Sequence, residues 1–132
     1  MKALDTNILV RFLVKDDAGQ AQQVYSLFKQ AENQQQRLFV PMLVVLETIW
    51  VLQAVYEVDD PDILAALNDL LMMPVLLFEA TPVLHAFIGA ARESNFDLAD
   101  LLIAHAARGL NSETVLTFDK KAGKYGGFEL IN

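Results

Sequence analysis

The chain contains no cysteine. Disulfides, thiol chemistry and zinc–thiolate sites are therefore excluded, and the composition suits a reducing compartment. Basic residues are few: ten Lys and Arg stand against seventeen Asp and Glu, a formal charge of −7 over 132 residues. A protein that coats nucleic acid through bulk charge is usually basic, so only a local basic patch is left for that role. Long apolar runs are lacking too, although the mean hydropathy is +0.30. Residues 40–56 are interrupted by Pro41, Glu47 and Gln53, and residues 63–78 by Asn68, Asp69 and Pro74. A spanning helix takes about 20 mainly apolar residues. Asp5 and Arg11 break any signal-peptide core behind Lys2. The expectation is a soluble cytoplasmic protein with no membrane association. There is no P-loop, no G-x-G-x-x-G run and no G-x-S-x-G elbow.

What is present is a core. Apolar types make up 54% and charged types 20%, the opposite of a disordered chain, and the length is that of one ordinary domain. Residues 2–4 read as a strand that leads into Asp5-Thr6-Asn7, all helix-starting types, and a helix over 8–14. Asp16-Asp17 opens a second helix to about residue 30, with Ala21, Val24, Leu27, Phe28 and Ala31 at helical spacing. A strand over 38–40 ends at Pro41. Helices follow over 42–56 and 63–72, then a strand over 75–78. Thr81-Pro82 reads as a cap followed by a first-turn proline. Asp97 begins a helix that Gly109 is expected to stop. Strands over 114–117 and 128–131 flank a Tyr125-Gly126-Gly127 turn. Helices alternating with short buried strands predict an α/β fold with a mainly parallel sheet.

Open α/β sheets carry their sites at the carboxyl ends of strands. Asp5 follows the first strand and Asp119 follows the strand over 114–117. Glu47 lies within Val44-Val45-Leu46-Glu47-Thr48-Ile49-Trp50, and Asp100 precedes Leu101-Leu102-Ile103-Ala104. Apolar neighbours predict burial of all four. Several buried carboxylates repel unless they are protonated or bind cations. Oxygen donors without cysteine or a nearby histidine pair favour Mg²⁺ or Mn²⁺, ions that hold phosphate oxygens and activate water for in-line attack. Simpler roles stand beside these. Asp5, Asp97 and Asp119 each suit a helix cap, and Asp100 suits the positive end of a helix. Only Glu47 has neither a cap role nor an obvious lysine partner. His85 and His105 read as structural and Trp50 as a packing residue. Lys120, Lys121 and Lys124 form either a solvated loop or a phosphate-contacting rim.

Leu4-Asp5-Thr6-Asn7, Glu47 in its apolar helix, Asp97-Leu98-Ala99-Asp100-Leu101-Leu102-Ile103-Ala104 and Thr117-Phe118-Asp119 resemble, in order and over essentially the whole chain, the PIN-domain ribonucleases. Within them the chain looks most like the VapC toxins of toxin–antitoxin pairs. The resemblance implies a single domain over 1–132, folded as a Rossmann-like α/β/α sandwich with a central, mainly parallel sheet. It also implies a metal-dependent ribonuclease. Asp5, Glu47, Asp100 and Asp119 would form its acidic quartet, with Asp5 and Asp100 the leading Mg²⁺ or Mn²⁺ ligands and Glu47 and Asp119 supporting them. Asn7, Thr117 and Asp97 match accompanying positions. RNA is the implied substrate, single-stranded or looped for access to a narrow acidic site. A cognate antitoxin and a homodimer are the implied partners.

Other folds of related pattern fit less well. A receiver-like phospho-switch wants paired acids after the first strand and an acceptor after a middle strand, but Thr6 follows Asp5 and Phe39-Val40-Pro41 supplies no acceptor. A haloacid-dehalogenase-type phosphatase wants Asp-x-Asp where Asn7 stands. A non-catalytic interaction module of PIN ancestry remains as the alternative. The helices over 42–56 and 63–72 are apolar on several sides, and both are expected to line a self-association surface or an antitoxin groove.

Overall fold

The computed structural model describes residues 1–132. By its internal contacts the chain divides into two units, Met1–Glu79 and Ala80–Asn132.

The first unit holds three parallel strands, β1 (Lys2–Ala3), β2 (Leu38–Val40) and β3 (Leu76–Phe78), in the order β1-β2-β3. Lys2 pairs with Leu38, and Leu38, Phe39 and Val40 pair with Leu76, Leu77 and Phe78. Leu38, Val40, Leu76 and Phe78 are buried while Phe39 and Leu77 are half-buried, so both faces of these apolar strands are at least partly covered. Parallel strands need crossovers, and helix pairs supply them. α1 (Thr6–Val14) and α2 (Ala18–Asn33) join β1 to β2, and α3 (Met42–Ala54) and α4 (Asp60–Leu71) join β2 to β3. Asp17 caps α2 through Gln20 N–H at 3.0 Å, and Val24, Phe28 and Ala31 fill its buried stripe. Arg11 ties several parts together: its guanidinium reaches Asp16 at 2.9 Å, Gln20 at 2.6 Å and the Tyr56 hydroxyl at 3.0 Å.

α3 stops two residues short of the expected 56, because Glu57 takes a left-handed conformation (φ 53°) that no helix continues. α4 was expected to leave an apolar outer side. Instead Ile63, Leu64, Leu67 and Leu70 are all buried and Asp62, Ala65 and Asp69 face out, the ordinary amphipathic arrangement.

The second unit packs α5 (Thr81–Arg92) on α6 (Leu98–Gly109). Leu84, Phe87, Ile88 and Ala91 meet the need for a buried stripe on one helix, and Leu98, Leu101, Leu102 and His105 on the other. β4 (Val115–Thr117) and β5 (Phe128–Leu130) are parallel, with Val115 opposite Phe128 and Thr117 opposite Leu130. A short 3-10 turn over Ala122–Lys124 lies between them. Thr81 is the first residue of α5, and Ala80, left-handed at φ 58°, precedes it in the cap position. Gly109 does not stop α6 as expected. The helix includes it, and the left-handed residue is Asn111 (φ 67°). The glycine serves packing instead: a Cβ there would stand 2.6 Å from Val83 Cγ2. No helix is long and apolar enough to cross a membrane.

Candidate active site

In the first unit the chain leaves β1 and turns at once into α1. Asp5, in extended conformation, accepts Thr6 N–H at 2.7 Å as the cap. Thr6, buried in the first turn, donates its hydroxyl to Glu47 Oε1 on α3, which packs against α1. The residue between Asp5 and Asn7 is thus the one that holds Glu47, a role its sequence position did not disclose. Asn7 is exposed. So are Asp5 and Glu47, contrary to the burial predicted from their neighbours. The reason lies in α3, which is apolar all round: Val45, Thr48, Ile49 and Leu52 turn inward, while Leu43, Glu47 and Trp50 share the outward face. Leu43 is 77% and Trp50 59% exposed.

In the second unit Asp97 caps α6, its Oδ2 accepting Asp100 N–H at 3.1 Å. That places Asp100 in the first turn, half-buried rather than buried. Burial, with Asp97 and Asp119 adding repulsion, pushes the Asp100 carboxyl above its ordinary value. Asp119 is exposed. Its Oδ1 accepts the backbone N–H groups of Lys121 at 2.8 Å and Ala122 at 3.1 Å, and its own N–H donates to Thr117 Oγ1 at 3.0 Å. With Oδ1 engaged by two amides, Oδ2 is left for a ligand.

The cap roles open to Asp5, Asp97 and Asp119 are therefore all in use. The structure has two ion pairs, Arg11–Asp16 at 2.9 Å and Lys29–Glu32 at 3.7 Å, so no basic side chain neutralises any of these acids. Neither unit by itself gathers three Asp, Glu or His side chains closely enough to hold a metal ion.

His105 is buried, and its Nε2 lies 3.1 Å from the Tyr125 hydroxyl. Burial, and secondly Arg108, lower its pKa, which favours the neutral imidazole. His85 is exposed on α5. Lys120, Lys121 and Lys124 are all exposed, and the last two line a groove of about 630 Å³ with Phe96 and Tyr125. Neither aromatic stood out in the sequence, because what distinguishes them is a tertiary contact.

A family model described as the PIN domain matches residues 2–127. The chain is 24% identical over 132 residues, covering all of it and 96% of the relative, to a protein named VapC ribonuclease from Aquifex aeolicus (strain VF5). With the parallel strands, the capped Asp5 at the end of β1 and the acids around α6 and β4 already described, a match of that extent shows that this chain belongs to the PIN-domain family.

Proposed function

We infer that the protein is a cytoplasmic, divalent-metal-dependent ribonuclease, acting as one PIN-like domain over residues 1–132 and serving as the toxin of a toxin–antitoxin pair. The observation that carries this is the PIN-domain match over residues 2–127, and Asp97 at the cap of α6, Asp100 in its first turn and Asp119 after β4, none of them in an ion pair, support it. The name of the Aquifex relative supports RNA as the substrate.

The donors suit Mg²⁺ or Mn²⁺. They are all oxygens, and a cation would relieve the repulsion that Asp100 feels. Asp5 and Asp100 would hold it, with Glu47 and Asp119 in support. When bound, such an ion stabilises charge on phosphoryl oxygens and lowers the pKa of water. The chain's own groups supply the positioning. The Thr6 hydroxyl fixes Glu47. Two amides and the Thr117 hydroxyl fix Asp119. The Asp97 cap sets the turn that carries Asp100. Asn7, exposed beside Asp5, orients a carboxylate or a water. Unpaired RNA, whose strand can splay into an acidic site, is the substrate we assign.

The partners follow from α3. Its outward Leu43 and Trp50 flank Glu47 as exposed apolar side chains, and Val55, 60% exposed, stands just beyond the helix. We assign this surface to a second copy of the chain or to the apolar side of an antitoxin segment.

The test is cleavage of unstructured RNA. Asp5→Asn keeps a capping side chain and Asp100→Asn keeps the volume, so both variants should fold. Each should lose activity in Mg²⁺ or Mn²⁺ by more than about a hundredfold, the scale at which even outer-shell partners of a metal act. EDTA should silence the wild type. Cleavage that survives EDTA, or variants that cut like the wild type, would overturn the assignment.

A further inference from the structure

The groove in the second unit is walled by two loops. One, from the end of α5 to the start of α6, contributes Glu93, Ser94, Asn95 and Phe96, and the other contributes Lys121, Lys124 and Tyr125. Building on the ribonuclease assignment, we propose that this groove is a nucleotide subsite, in which a base of single-stranded RNA lies against Phe96 and Tyr125 while Lys121 and Lys124 hold the flanking phosphates.

Size is the first reason: about 630 Å³ falls within the range of small-molecule sites, about 300–1,000 Å³. The chemistry is the second. Phe96 and Tyr125 stand edge to face with centroids 5.2 Å apart, and both are half-buried, so each is held and yet reachable. The Tyr125 hydroxyl is tied to His105 at 3.1 Å, and its ring also meets Phe128. A stacking platform is thereby organised before any base arrives, which lowers the ordering cost of binding. Charge is the third. In a chain of −7, a polyanion must be met locally. Lys121 and Lys124 are exposed and form no ion pair, even though Glu93 lines the same groove.

Position is the fourth reason. The first loop runs from Phe96 straight into Asp97, the cap of α6. In the second, Lys121 donates its backbone N–H to Asp119. The walls of the groove therefore continue into the acids that act on Asp100. A strand seated in the groove has its next phosphate directed toward those acids. The groove thus selects a strand whose base is free to turn out, which a duplex does not offer.

The experiment uses the full chain in EDTA, with a fluorescein-labelled oligouridine read by anisotropy. Phe96→Ala should weaken binding by about tenfold, in line with the cost of losing one base–aromatic stack, and Phe96→Trp should restore it. The double change Lys121→Ala with Lys124→Ala leaves the backbone bond to Asp119 possible. It should weaken binding and flatten the slope of log K against log salt by about 1.4, as for two phosphates of a single strand. With metal restored, Phe96→Ala should raise KM for long RNA more than it lowers kcat. A 4-thiouridine photo-crosslink should map to Phe96 or Tyr125. Circular dichroism melts confirm that each variant is folded. Folded variants that bind like the wild type, with an unchanged salt slope, would overturn the subsite. That result is distinct from failure of the ribonuclease assignment, in which the wild type itself cuts no RNA in Mg²⁺ or Mn²⁺.

Discussion

A carboxylate that caps a helix and also serves chemistry has two reasons to stay. Asp5 accepts Thr6 N–H, Asp97 accepts Asp100 N–H, and Asp119 accepts two amides. Asparagine performs the cap almost as well as aspartate, whereas alanine does not. Asp5→Asn should therefore leave thermal stability nearly unchanged, and Asp5→Ala should cost about 1 kcal/mol, the usual loss on removing such a cap. Urea melts of the two variants decide it; equal losses would mean that the bond to Thr6 contributes nothing. Glu47 lies outside this logic. It is held by Thr6 from across the unit, and no local sequence rule connects residues so far apart. The cap roles were legible in the sequence because capping is local. The exposure of Asp5, Glu47 and Asp119 was not, since an apolar neighbourhood along the chain does not say which way a side chain turns.

Among the elements, α6 was the most legible and α3 the least. In α6 the cap Asp97 and the buried set Leu98, Leu101, Leu102 and His105 agree with each other and with a single buried face. α3 offers no such contrast, so its outward side could be found only from the fold. Gly109 misled for a related reason: glycine ends helices, but here it makes room for Val83, and Asn111 takes the left-handed turn. α6 also carries a pH dependence. His105 is buried beside Tyr125, on the same helix as Arg108, and its pKa lies below the ordinary value of about 6.5. The unfolded chain then takes up the proton first as pH falls. The contribution to stability is complete above the ordinary value and is lost as pH falls through the folded one. His105→Gln removes the ionisation, so between about pH 7.5 and 5.5 its melting temperature should fall less than that of the wild type. Parallel slopes would show that the imidazole takes up its proton alike in the folded and the unfolded chain.

At the scale of the whole molecule, the net charge of −7 and the apolar face of α3 pull toward different partners. On the proposed reading, RNA would be drawn in by the lysines near Asp119, and a protein partner by the exposed Leu43, Trp50 and Val55. Trp50 is the one tryptophan of the chain, and it stands in that face. Its emission should shift to shorter wavelength as concentration rises or as a neighbouring small protein is added, and sedimentation should show a dimer or a complex. Leu43→Ser should reduce both effects. A strict monomer with unshifted emission under both conditions would remove the interface and leave the nuclease assignment standing. On the proposed assignment, the double duty of the acids has a consequence for descent. A lineage that ceased to cut RNA would still need side-chain acceptors at Asp5, Asp97 and Asp119 to begin its helices and its turn. Aspartate there would persist, or drift only to asparagine or serine, long after catalysis was gone. Glu47 and Asp100 cap nothing and would be released first. Positions 47 and 100, rather than 5 and 119, are where living enzymes and silent descendants of this fold would part.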